Sequence, residues 1–291
     1  MATVGVRSQM KKVITIIMIC MILCKNYDSD HLYVVDCFYD SQKISNSEEL
    51  KKSFKTISWF KTKKEAIAAT AVQHPDSIFI DSDVGVQNLI TLCRLKIRSI
   101  RTEINVYEEG LGTYRTDLVT NKVKKKIFSI FGVGYYFGGC FLTKNIYVLD
   151  PSLYKERIPS LKQKVIAINI DFSIWLYGNK SKLIKIFSPC FEIVSSGDVD
   201  VACLYLPDWN VDMNFINKTK KLGNLFVKLH PHIKKEVCFE GTDEYIIIPR
   251  SLPAEIAIML ILEKFNMLTV YHKDSSCMRY LRHEKISSVI I

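Results

Sequence analysis

The chain has 291 residues, 48% hydrophobic and 24% charged, with a formal net charge of +10. This length and balance suit a globular protein of two ordinary domains with real cores, and argue against a low-complexity or solenoid chain. The charge points to an anionic partner (a nucleotide, an anionic lipid surface or nucleic acid) without choosing among them.

In chain order, Thr3–Val6 reads as a short first strand, and Ser8 can cap a helix over Gln9–Cys24. The apolar run within that helix, Val13–Cys24, follows Lys11 and Lys12 and resembles a signal peptide or short anchor. It is shorter than the ~20 residues a membrane helix needs. No small-residue cleavage site follows it, so a buried helix is the preferred reading and a membrane anchor the alternative. His31–Val35 then reads as a strand, Lys64–Val72 as an alanine-rich helix, Ser77–Ile80 as a strand ending in Asp81-Ser82-Asp83, and Val86–Leu95 as a helix. Ile104–Tyr107 is a strand, Thr113–Ile130 a long basic helix, and Asn145–Leu149 a strand closed by Asp150-Pro151.

The stretch Ser152–Ser196 is less regular. It holds the apolar run VIAINI, a short helix near Trp175, and a further strand candidate, LIKIF. Alternation resumes with strands at Val201–Leu206, Leu225–Leu229, Glu244–Ile248 and Leu268–Tyr271, helices at Val211–Leu222 and Pro253–Phe265, and a terminal strand, KISSVII. Such alternation implies parallel β-α-β units. The expected architecture is α/β, with two Rossmann-like domains facing a cleft. The first spans residues 1–156 and the second 196–291, with an irregular linker at 157–195.

Nine cysteines are scattered, with no Cys-x-x-Cys pair, which reads as a reduced, cytosolic chain of buried thiols rather than a zinc or disulfide framework.

Ligands of parallel α/β sheets bind beyond the carboxyl ends of the strands. Three such ends carry chemistry: Glu108-Glu109-Gly110, His230-Pro231 and Ser275-Ser276. A carboxylate there can act as a general base, an imidazole as a proton or hydrogen-bond donor, and hydroxyls at a helix start as phosphate ligands. Each signal has a plainer reading: a solvated turn, a satisfied histidine and an ordinary helix cap. His74-Pro75 reads as a turn, Ser287-Ser288 as part of a strand, and His232 and His272 as surface residues. Lys122, Lys124, Lys125 and Lys126 read as a solvated helix face. Interleaved with Val123, Ile127, Phe128 and Phe131, that face can also rest on anionic lipid.

The three corners, in this order and within the contexts YEEGLGTYR, FVKLHPH and IPRSLPAEI, resemble the motifs of bacterial sialyltransferases of glycosyltransferase family 52 and the related capsular polysialyltransferases. The resemblance implies a GT-B type glycosyltransferase that moves sialic acid, with inversion and without a metal, from CMP-sialic acid to a galactose-terminated or sialylated glycan of lipooligosaccharide or capsule. Glu108 would be the base and Glu109 its alternative or an orienting group. His230, held by Pro231, would assist departure of CMP, Ser275 and Ser276 would bind its phosphate, and Pro231 and Gly110 would belong to the same donor-binding set. The expected location is cytoplasmic, with peripheral contact on the inner face of the membrane. Asp81-Ser82-Asp83 could form an Asp-x-Asp metal site, but that leaves the histidine and serines without a role. The competing readings are a transferase using a UDP-hexose and a non-catalytic basic membrane-surface protein; nothing suggests a nucleic-acid binder.

Overall fold

The structure is a computed structural model. It describes residues 2–4, 31–35, 41–52, 54–159, 163–187, 193, 200–208, 210–222, 224–230, 245–250 and 252–291. The expected helix over residues 9–24 and Pro231 lie outside the described residues. The chain folds as two compact units, Met1–Ile170 and Asp171–Ile291.

In the first unit, seven described strands form one sheet: β1 (Ala2–Val4), β2 (His31–Val35), β3 (Thr56–Phe60), β4 (Ser77–Ile80), β5 (Glu103–Tyr107), β6 (Thr143–Val148) and β7 (Lys164–Ala167). Their order is β3-β2-β1-β4-β5-β6-β7, and every pairing is parallel. The winding direction reverses between β1 and β4. β4 is buried throughout, and β2 and β5 are buried in four of their five positions. Parallel strands covered on both faces read as continuous apolar runs for this reason. Ile78, Ile80, Ile104, Val106, Ile146 and Val148 form the middle of the core.

Helix Lys63–Gln73 opens on a complete capping box, in which Thr62 accepts from Glu65 N–H and Glu65 reaches back to Thr62 N–H. It closes at His74 in the left-handed region, φ 49°, so His74-Pro75 is the turn expected. The expected long helix over Thr113–Ile130 is corrected. Leu111–Tyr114 is a single 3₁₀ turn, and the α-helix runs only over Lys122–Ile130. Thr113 and Tyr114 are drawn into the corner below β5, and Asn121 Oδ1 caps the new helix by accepting from Lys124 N–H at 3.0 Å.

The second unit begins with helices Phe172–Gly178 and Lys180–Phe187. The latter contains LIKIF, expected as a strand. Leu183, Ile186 and Phe187 are its buried residues, and their three- and four-residue spacing is that of a helix face. Five described strands, β8 (Val201–Leu206), β9 (Asn224–Lys228), β10 (Tyr245–Ile248), β11 (Met267–His272) and β12 (Ile286–Ile290), form a second parallel sheet. Its order is β10-β9-β8-β11-β12. Helix Ala254–Leu262 follows Pro253, and its residues from Ile256 to Ile261 are all buried. Both units are therefore α/β with parallel sheets. Among the described residues no helix is long and apolar enough to cross a membrane.

Candidate active site

β5 delivers Glu108 and Glu109 to the carboxyl edge of the first sheet. Gly110 follows at φ 117°, a conformation that suits glycine and turns the chain into the 3₁₀ turn. The two glutamates have different surroundings. Glu108 is fully buried, and its Oε2 accepts from Tyr114 Oη at 2.5 Å and from Leu149 N–H at 2.7 Å. Its own N–H donates to Tyr147 O at 2.8 Å, which ties the corner to β6. Glu109 is half-buried, and its N–H donates to Thr113 Oγ1 at 2.9 Å. Glu108, expected as the base, is built into the scaffold, while Glu109, expected as its alternative, borders accessible space.

The neighbouring edge of β4 supplies Asp81, Ser82 and Asp83, all buried. Lys63, at the start of its helix, sends its ammonium to Asp81 Oδ1 at 3.2 Å and to Ser82 O at 2.5 Å. Burial lowers the Lys63 pKa, and the charges of Asp81, Asp83 and Glu109 oppose that shift. Burial raises the Asp81 carboxyl, with Lys63 pulling it back. Asp83 is raised by burial too, against its hydrogen bonds. It accepts from Gly138 N–H and Cys140 N–H, each at 2.8 Å, and from Thr143 Oγ1 at 2.7 Å, pinning the loop before β6. Asp81 and Asp83 are thus both engaged within the fold. Among the described residues no cluster of three or more His, Cys, Asp or Glu side chains could hold a metal ion.

In the second unit, β9 and β11 flank β8, with Val227 and Tyr271 both level with Tyr205. His230 lies three residues past Val227 and Ser275 four past Tyr271. The two strands that carry them are two spacings apart, about 10 Å. His230 is half-buried. Ser275 precedes the short helix Ser276–Tyr280, but its side chain does not cap it. Its hydroxyl meets Cys277 Sγ at 3.2 Å, and its N–H donates to His272 Nδ1 at 3.0 Å. Ser276 is half-buried beside it.

His272 is not the surface residue expected. It is buried, and its Nε2 lies 2.7 Å from Ser288 Oγ on β12. Because Nδ1 accepts the Ser275 N–H, the ring proton sits on Nε2 and is donated to Ser288. Burial lowers the His272 pKa, with Asp274 opposing. Lys228, also buried, donates to Leu229 O at 3.2 Å and Arg250 O at 3.4 Å, and burial pushes its pKa down to about 8. Glu255 and Cys277 act on it electrostatically, and burial pushes the Cys277 thiol up to about 12.

Sequence reasoning missed Lys63, Tyr114, Lys228, His272 and Cys277. Position was a signal for two of them, since Lys228 and His272 close apolar strand runs at the same sheet edge as the expected site residues. No family model matches the chain, and no curated protein matches it.

Proposed function

We propose that the chain is an inverting sialyltransferase with two Rossmann-like domains of the GT-B type, taking sialic acid from CMP-sialic acid to a galactose-terminated or sialylated glycan. The observation that carries this reading is the placement of the motif residues. Glu108-Glu109-Gly110 stands at the carboxyl edge of one parallel sheet, and His230 and Ser275-Ser276 stand at the carboxyl edge of the other. Those edges are where parallel α/β sheets take ligands.

The buried carboxylate and the accessible one divide the work. Glu109 removes the proton from the acceptor hydroxyl as that oxygen bonds to the anomeric carbon. Glu108, held by Tyr114 and Leu149, fixes the turn that presents it. The bond from the anomeric carbon to the CMP phosphate oxygen breaks through an oxocarbenium-like state. His230 donates a hydrogen bond or proton to the departing phosphate. Ser276 offers a hydroxyl to the same group, while Ser275 shapes the turn through His272 and Cys277.

The test is incubation with CMP-sialic acid and a lactose-type acceptor, scored as CMP release and product formation. Glu109→Gln should abolish transfer while CMP still binds, and His230→Ala should lower kcat by about 10²–10⁴-fold. Release of UDP from a UDP-hexose in place of CMP would replace the donor assignment. Full activity in Glu109→Gln would remove the base.

A further inference from the structure

Helix Lys122–Ile130 is built the wrong way round for an ordinary surface helix. At about 100° per residue, Val123, Ile127 and Ile130 fall on one stripe. That stripe faces solvent: Val123 is 68%, Ile127 47% and Ile130 71% exposed. The inward anchor is Phe128, on the opposite side, packed with Val119 and Val133. The helix closes in a Schellman motif. Gly132, at φ +64°, donates to Ser129 O, and Val133 N–H donates to Phe128 O. This closure leaves Phe131 outside, at 69% exposure. The Phe141 ring lies over Gly132, where an added Cβ would sit 2.6 Å from it, and Phe141 is itself 61% exposed. Two exposed phenylalanines, Phe131 and Phe141, therefore lie at the C-terminal end of the helix that carries the stripe.

Exposed lysines border the stripe, Lys122 and Lys126 on one side and Lys124 on the other. We propose that this face docks on the surface of an anionic lipid bilayer, with Val123, Ile127, Ile130, Phe131 and Phe141 entering the headgroup boundary and the flanking lysines meeting anionic headgroups. The inference goes beyond the transfer reaction and stands independently of it. The charge pattern selects the occupant. A second copy of the chain would bring the same lysines against these, which repels. A nucleic acid would use the lysines and leave the apolar stripe in water. A bilayer accepts both, since an amphipathic helix lies in the interface with its apolar face buried and its basic residues at headgroup level.

The experiment is co-sedimentation of the full chain with vesicles of phosphatidylcholine, with or without phosphatidylglycerol, alongside Ile127→Glu/Phe131→Glu and Lys122→Gln/Lys126→Gln variants. The chain should bind the mixed vesicles. Binding should weaken with salt, by about fivefold per neutralised lysine, and by at least roughly tenfold in the glutamate variant. Because all four substituted side chains are exposed, circular dichroism should match the parent. Absence of vesicle binding, or binding that the glutamate variant retains, overturns the proposal. Equal binding to vesicles lacking phosphatidylglycerol also overturns it. So does a dimer seen by light scattering that the glutamate variant dissolves while vesicles capture nothing.

Discussion

Tyr114 donates its phenolic hydrogen to Glu108 Oε2 across 2.5 Å, and both side chains are wholly buried. The bond spans six residues and folds the corner after β5 onto itself. The same phenolic oxygen accepts from Asp150 N–H at 3.1 Å, so one hydroxyl joins the ends of β5 and β6.

Tyr114→Phe should therefore destabilise the first unit. It removes a donor from a buried carboxylate and an acceptor from Asp150, at a loss of about 1–3 kcal/mol. Urea denaturation monitored by circular dichroism measures this. Under the proposed mechanism, transfer by the folded fraction should fall less in this variant than in Glu109→Gln.

Lys63 and Asp81 form a buried ion pair, and such pairs are costly to break singly. Lys63→Met should lose about 3–5 kcal/mol, because Asp81 is left buried without its cation. Lys63→Met combined with Asp81→Leu should recover most of that loss, since apolar replacement of both partners is often neutral. Equal losses in the single and double variants would show that the Lys63 contact to Ser82 O, not the ion pair, carries the stability.

His272 predicts an acid-side loss of stability. Its folded-state pKa lies below the ordinary 6.5 because of burial. Between that lowered value and 6.5, the unfolded chain binds a proton that the folded chain refuses. Its contribution is thus complete above pH 6.5 and is lost as the pH falls through the window. Protonation at Nδ1 would also break the bond from Ser275 N–H. Denaturation midpoints of the parent and His272→Asn, measured on both sides of that pH, should show a smaller drop in the variant.

Cys277 should resist thiol reagents in the folded protein. It is 3% exposed, and its pKa is pushed up to about 12, so almost no thiolate exists at pH 8. Peptide mass spectrometry after alkylation should find Cys277 unmodified in the native chain and modified in urea. Cys93, only partly buried, should react first of these two.

Most of the parallel framework was legible in the sequence because buried parallel strands are unbroken apolar runs between polar corners. His31–Val35, Ser77–Ile80 and Val201–Leu206 have the bounds that their composition suggests. β3, whose sequence is TISWF, escaped because it mixes polar and apolar residues on an edge strand. LIKIF misled because a short apolar run suits strand or helix equally, and packing of Leu183, Ile186 and Phe187 decided the outcome. The glutamates, His230 and the serines were visible as residue types at strand ends. Their partners were not, since Lys63 meets Asp81 across eighteen residues and His272 meets Ser288 across sixteen. The difference between Glu108 and Glu109 rests on a tyrosine and a backbone amide that only folding brings near.

At the sheet edge of β4 and β5, the charges of Asp81, Asp83 and Glu109 all act on the ammonium of Lys63. Fully ionised, three carboxylates against one ammonium leave that quartet with a net charge of −2, in surroundings that screen poorly. Lys63 and the Asp81 carboxyl act on each other's ionisation, so under the proposed mechanism a pH–rate inflection arising there would belong to the pair. Under the proposed mechanism, a neutral residue in place of Lys63 removes the charge that pulls the Asp81 carboxyl down and would displace that inflection toward alkaline pH in the folded fraction.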